Sequence, residues 1–174
     1  MNFSDNIYLV GLMGAGKTTV GKMLARQTGK VFYDSDQEIK NKTGVSISHI
    51  FEVEGEAGFR VRESSVLNEL TQMRNIVLAT GGGAVLAEQN RALLRNNGIV
   101  IYLRASVDDL WARTRHDKNR PLLQTEDPHA KLSELFALRD PLYKEVADIV
   151  VDTSKQSVSS LARHILQLLE KGNS

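Results

Sequence analysis

Five short apolar runs punctuate the chain, at 7–10, 31–33, 76–80, 99–103 and 149–151. None alternates apolar with polar positions. Strands that read as unbroken apolar runs are covered on both faces, as in a parallel sheet between layers of helices. Between the runs, apolar residues recur at three- and four-residue spacing, the period of an amphipathic helix. These stretches are 17–28, 36–43, 56–73, 87–96, 106–116, 128–145 and 156–171. The last brings Val158, Leu161, Ala162, Ile165, Leu168 and Leu169 onto one face, and Gly172 is expected to stop it. Ser106, with Asp109 three residues on, reads as the cap of the helix that carries Trp111, a packing residue. The steady alternation of strand and helix predicts a single α/β domain over residues 1–174.

The join between the first strand and the first helix carries chemistry. Gly11, Gly14, Gly16, Lys17 and Thr18 fit the spacing G-x-x-x-x-G-K-[ST], in the strand–loop–helix setting that the phosphate-loop pattern needs. The glycines let backbone N–H groups converge on an anion at the positive end of the helix. Lys17 reaches the β- and γ-phosphates as a mobile point charge. The Thr18 hydroxyl is a hard oxygen ligand suited to Mg²⁺. A nucleoside triphosphate is the expected ligand.

Composition narrows the class. The chain has 174 residues, and 22 Lys+Arg against 21 Asp+Glu leave a net charge of +1. A general nucleic-acid or membrane-surface role would call for a basic excess. The absence of cysteine excludes disulfides, thiolate zinc sites and a cysteine nucleophile. The polar N-terminus lacks the apolar core of a signal peptide. No apolar run approaches the roughly 20 residues that span a bilayer. A cytoplasmic enzyme or switch is expected.

In open parallel sheets ligands sit beyond the carboxyl ends of the strands. Asp34 and Asp36 follow the second strand. Asp34 could hold the Mg²⁺ shell, directly or through water. Asp36 could accept a proton from an attacking hydroxyl, or could be a helix N-cap; spacing leaves both open. After the third strand comes Thr80 with Gly81, Gly82 and Gly83, where a switch protein or ATPase would place an acid for magnesium. Three glycines suit either close approach of a ligand to the backbone or a flexible turn. Arg60 and Arg62 cannot share a helix face, so at most one enters the site. Glu56 and Glu63 both lie on the face of Arg60. That set is either a surface ion-pair ladder or an Arg held rigid and aimed at an anionic group. The basic stretch 113–121 is a solvated face, a small nucleic-acid contact, or a lid whose Arg meets a transferring phosphoryl group. Arg139 precedes Pro141, a helix-disrupting residue. The four His residues are scattered and carry no metal or catalytic assignment.

Taken together, the segments 11–18, 32–36, 58–63, 79–83, 120–123 and 139–143 resemble the motifs of the shikimate kinases, in that family's order and over nearly the whole chain. The resemblance implies the three-layer α/β/α P-loop fold of nucleoside monophosphate kinases. Its five-stranded parallel sheet would have order 2-3-1-4-5, with a substrate-binding segment near 33–62 and a lid near 112–125. It implies transfer of the γ-phosphate of ATP to the 3-hydroxyl of shikimate, in the route to aromatic amino acids, with one Mg²⁺ accompanying ATP. Catalysis would fall to Asp36, Lys17 and Arg120. ATP would be held by Gly14, Ala15, Gly16, Lys17, Thr18, Thr19, Arg113, Arg120 and Gln156. Shikimate would be held by Asp36, Arg60, Gly82 and Arg139, and the metal by Thr18 and by Asp34 through water. The implied enzyme is a cytoplasmic monomer whose partners are ATP and shikimate, with neither nucleic acid nor membrane.

Rival readings are a gluconate or nucleoside monophosphate kinase of the same architecture, a GTPase-type switch, and a module that binds nucleotide without turnover. A switch would want Asn-Lys-x-Asp, whereas the Asn41-Lys42 pair is followed by Gly44 in the place of the acid.

Overall fold

The computed structural model describes residues 5–116, 123–154 and 156–172. Its strands are β1 (Asn6–Val10), β2 (Val31–Asp34), β3 (Ile76–Ala79), β4 (Gly98–Arg104) and β5 (Ile149–Asp152). Its α-helices are α1 (Lys17–Thr28), α2 (Ser35–Thr43), α3 (Ile47–Thr71), α4 (Glu88–Asn97), α5 (Val107–Thr114), α6 (Pro128–Val146) and α7 (Val158–Gly172). The strands form one sheet in the order β2-β3-β1-β4-β5, every pairing parallel. This is the expected P-loop kinase architecture.

Every residue of β1 and β3 is buried, whereas Val31 on the edge strand β2 is exposed. That gradient explains the unbroken apolar runs, since the central strands are covered on both faces. On α7, Leu161, Ala162, Ile165 and Leu169 are buried, with Val158 and Leu168 packed against the core, as the spacing predicts. Gly172 is the last residue of α7. Trp111 packs partly buried against the core, edge-on to His129. Ser106 caps α5 by accepting from the Asp109 backbone N–H at 3.1 Å.

One expectation needs correction. The helix expected from residue 56 begins at Ile47, because Ser46 caps it through the His49 N–H and Ile47, Ile50 and Phe51 supply an apolar stripe. Gly55 interrupts it with φ 74 and ψ 179, so a short first segment is set at an angle to the longer second one. The helix α6 runs from Pro128 to Val146 through Pro141, as the helical spacing over 128–145 predicts. Asp140 is tied to Tyr102 at 2.6 Å and to Arg104 at 2.9 Å, and Tyr143 packs on Tyr102. These contacts from both sides of the proline offset the one backbone hydrogen bond it forfeits.

Candidate active site

The β1–α1 loop needs its glycines for space as well as for backbone angle. A Cβ on Gly11, at φ +148, would come within 2.6 Å of the Leu103 carbonyl; on Gly14, at φ +86, it would come within 2.7 Å of Thr114 Cγ2. Ala15 is buried, and Thr18 and Thr19 are exposed at the start of α1. Lys17 Nζ donates to the Gly11 carbonyl at 2.5 Å and to the Leu12 carbonyl at 2.9 Å. Its ammonium therefore lies across the mouth of the loop, where the anion is expected. The loop borders a cleft of about 430 Å³ that Thr18, Asp34, Asp36, Thr80, Gly81 and Gly82 also line.

Thr18 Oγ1 donates to Asp34 Oδ2 at 2.8 Å. The other Asp34 oxygen accepts from the backbone N–H groups of Asp36 and Gln37 and so caps α2. The cap of this helix is thus Asp34, which releases Asp36 from the competing structural reading. A hydroxyl and a carboxylate side by side are hard donors of the kind magnesium takes. Among the described residues no group of three or more His, Cys, Asp or Glu side chains could hold a metal ion alone. Such a pair therefore fits an ion whose remaining ligands are phosphate oxygens and water.

Each glycine of the triplet after β3 abuts a different charged side chain. A Cβ on Gly81 would lie 2.8 Å from both Asp36 Oδ1 and Glu63 Oε2. On Gly82 it would lie 3.5 Å from Arg139 Nη1 and 3.6 Å from the Met13 backbone nitrogen, and on Gly83 it would overlap the Arg60 guanidinium. The triplet is a close-approach backbone rather than a slack turn. Gly81 N–H donates to the buried Ser35 hydroxyl at 2.9 Å, and the buried Tyr143 hydroxyl donates to the Gly82 carbonyl. Thr80, where an ATPase would carry an acid, is buried and donates to the Leu9 carbonyl at 2.9 Å, locking β3 to β1.

Arg60 and Arg62 divide as their spacing requires. Arg62 pairs with Glu54 at 2.8 Å on the surface. Arg60 turns inward, 2.9 Å from Glu63 and 3.7 Å from Glu56. Glu63 is fully buried, and burial pushes its carboxyl up to about 7; Arg60 opposes that rise most, neighbouring Asp36 adds to it, and Arg139 opposes it. Arg139 is 2% exposed, and its Nε and Nη1 have no hydrogen-bond partner among the described residues. A buried guanidinium with idle donors is costly unless a ligand completes it. The structure therefore brings Asp36, Arg60, Gly82 and Arg139 together beside the phosphate loop.

Arg113 Nη1 donates to the Gly14 carbonyl at 3.0 Å, which ties α5 to the phosphate loop. Gln156 is exposed and donates to the Asp152 carbonyl at the end of β5. Neither lines the 430 Å³ cleft. Arg120 lies outside the described residues. Two residues of the site escaped sequence reasoning, Ser35 and Tyr143. The four-residue interval from Arg139 to Tyr143 is the signal for the second, since it puts both on one face of a continuous helix. Asn41 and Lys42 lie in the last turn of α2, which Gly44 ends at φ 75, so that pair is part of a helix terminus rather than a guanine motif.

A family model described as shikimate kinase matches residues 13–170. The chain belongs to the shikimate kinase family. It is 65% identical over 166 residues to a shikimate kinase of Nitrosospira multiformis, covering 95% of this chain and 85% of that one. It is 63% identical over 168 residues to one of Chromobacterium violaceum, covering 96% and 91%. A solved shikimate kinase from Acinetobacter baumannii, in complex with shikimate, superposes with a TM-score of 0.96 at 54% identity, covering 98% of this chain and 95% of that one. A deoxyadenosine kinase from M. mycoides shares the fold alone, at a TM-score of 0.62 and 18% identity. The chain is thus a kinase of this family. No helix among the described residues is long and apolar enough to cross a membrane.

Proposed function

We propose that this shikimate kinase transfers the γ-phosphoryl group of ATP to the 3-hydroxyl of shikimate, with the following division of labour. Gly14, Ala15, Gly16, Lys17, Thr18 and Thr19 hold the triphosphate, and Arg113 and Gln156 flank the adenine. Arg60 and Arg139 clasp the shikimate carboxylate, with the Gly82 N–H as a third donor. Asp36 accepts from the shikimate hydroxyls and takes the proton of the attacking one, as that oxygen bonds to the γ-phosphorus and the bond to ADP breaks. Arg120 meets the phosphates from the lid near 112–125, and the substrate-binding segment spans 33–62 of a single domain.

Thr18 and Asp34, the latter through water, would hold one Mg²⁺. The ion supplies neutralisation of charge on the β- and γ-oxygens. Everything else is positioning and electrostatics, which phosphoryl transfer mainly requires. The enzyme works as a cytoplasmic monomer, without nucleic acid or membrane; the near-neutral charge supports the absence of a nucleic-acid or membrane-surface role.

One observation carries the assignment: Gly81, Gly82 and Gly83 each abut one or two of the side chains Asp36, Glu63, Arg139 and Arg60, so the backbone is stripped to let an acid-binding clasp close on the phosphate loop. Incubation with Mg-ATP and a panel of shikimate, gluconate, AMP and CMP tests it. ADP should form with shikimate far faster than with the others, and ³¹P spectra should show a phosphomonoester on the 3-oxygen. Turnover of gluconate or a nucleotide in preference to shikimate would overturn it.

A further inference from the structure

Filling the clasp adds an anion to a cluster whose guanidinium groups already have carboxylates beside them. Glu63 is fully buried, and its Oε1 accepts from Arg60 Nη1 at 2.9 Å. Its Oε2 has no hydrogen-bond partner among the described residues. That oxygen and Asp36 Oδ1 approach Gly81 together, each 2.8 Å from the point a Cβ there would occupy. The ionisable groups around Glu63 are Arg60 on its own helix, Asp36 on α2, and Arg139 and Tyr143 on α6. Asp36 and the buried Glu63 face Arg60 and Arg139, with the exposed Glu56 also 3.7 Å from Arg60 and the Tyr143 phenol held neutral by burial. A substrate carboxylate seated on Arg60 and Arg139 adds a further anion to this cluster with no added cation. Crowded, desolvated carboxylates relieve that imbalance by binding a proton. Glu63 is the group placed to take it, being the most buried and already pushed up to about 7 by burial.

We propose that Glu63 captures a proton as the substrate carboxylate seats on Arg60 and Arg139, and that the protonated Oε2 then donates toward Asp36. The inference rests on the clasp assignment above. Glu63 is a positioning residue in this scheme. Its proton turns a repulsive contact into a hydrogen bond that orients Asp36. The sign of the linkage follows. The Glu63 carboxyl titrates higher in the complex than in the free enzyme. Uptake vanishes well below the free-enzyme value of about 7 and is largest between the two values. Shikimate affinity is therefore full on the acidic side and falls as pH rises past about 7, by up to about tenfold per pH unit.

The test is calorimetric titration of the whole chain with shikimate near pH 7.5, in phosphate and in Tris, whose ionisation enthalpies differ. The apparent enthalpy should shift with the buffer by the equivalent of roughly half a proton taken up per shikimate bound. Glu63→Gln keeps the acceptor for Arg60 and a donor toward Asp36 but cannot titrate. Its buffer dependence should vanish, and its dissociation constant should stay flat from about pH 6.5 to 8.5. Buffer-independent binding by the wild-type chain, or undiminished uptake by Glu63→Gln, would overturn the inference. If Glu63→Gln does not fold, the wild-type pH series decides, and a flat affinity across that range sinks the idea. Failure of the clasp reading looks different: Arg60→Ala would bind shikimate as well as the wild type does.

Discussion

Replacing Arg60 by Ala separates the two roles its surroundings allow. The side chain is 21% exposed and pairs at 2.9 Å with the fully buried Glu63. If Arg60 were only a rung in a helix-surface ladder, its loss would cost a few tenths of a kcal/mol of stability, and shikimate kinetics would not change. In the clasp it donates charge-assisted hydrogen bonds to the substrate carboxylate, worth about 1.5–3 kcal/mol. That range corresponds to a rise of roughly 10- to 150-fold in the shikimate KM. The carboxylate is not a reacting group, so the lost energy is common to ground and transition states. KM should rise while kcat changes little, and the ATP KM should hold. A second cost falls on stability. A buried partner left ionised would cost about 3–5 kcal/mol. Glu63 escapes most of that by protonation: burial already pushes its carboxyl up to about 7, and losing Arg60, which lowers it, moves it higher. The residue is the cost of a poorly bonded buried polar group, about 1–3 kcal/mol. Adding Glu63→Met to Arg60→Ala removes that polar group and should recover part of the melting temperature but not the KM. Coupled ADP-release kinetics at varied shikimate, alongside thermal melts, read both quantities. A shikimate KM within twofold of wild type would return Arg60 to the surface ladder and refute the clasp.

Other variants probe the remaining parts. Asp36→Asn should slow transfer by roughly 10²- to 10⁴-fold, the scale of a lost general base, with ATP affinity unchanged by equilibrium titration; full rate would leave Asp36 without a catalytic part. Lys17→Ala should lower kcat by on the order of 10²-fold or more, as for one lost preorganised charge donor, and near-normal turnover would count against the phosphate-loop role. Gly83→Ala forces the Arg60 guanidinium aside, so the shikimate KM should climb toward that of Arg60→Ala, and the double variant should be no worse than the worse single; additive losses would show that the two residues act separately. Asp34→Ala removes the α2 cap, at about 1 kcal/mol, and should also raise the Mg²⁺ concentration for half-maximal rate; an unchanged metal requirement would make Asp34 a cap alone.

The sheet was legible because burial of the central strands on both faces writes itself into the chain as unbroken apolar runs, and the β1–α1 loop because its glycines are demanded by sterics that no other side chain meets. The clasp was legible only in pieces. Spacing placed Glu56 and Glu63 on the face of Arg60, yet an inward ion pair and a surface ladder share one pattern along a helix. What separates them is Gly83, twenty-three positions away, whose missing Cβ leaves the guanidinium its room. Asp34 and Asp36 posed the same difficulty. Either could cap α2, and the choice is made by Thr18, which draws the Asp34 side chain to the rim. The opening of α3 was missed because Gly55 cuts it short; a segment of eight residues before a positive-φ glycine carries little periodicity, and Ser46 does the work of starting it. Pro141 did not break the helix read over 128–145, and the structure shows why. Its local cost is real, but Asp140 and Tyr143 on either side are bonded across to Tyr102, Arg104 and Gly82, and those partners are close only once the sheet has formed. Outside α3, whose Ser46 cap and Gly55 break are local, the deciding contact is long-range in sequence and involves a group that is unremarkable by itself. A site that gathers charge from α2, α3, α6 and the β3 loop is therefore specified by which backbone positions are emptied as much as by which side chains fill them.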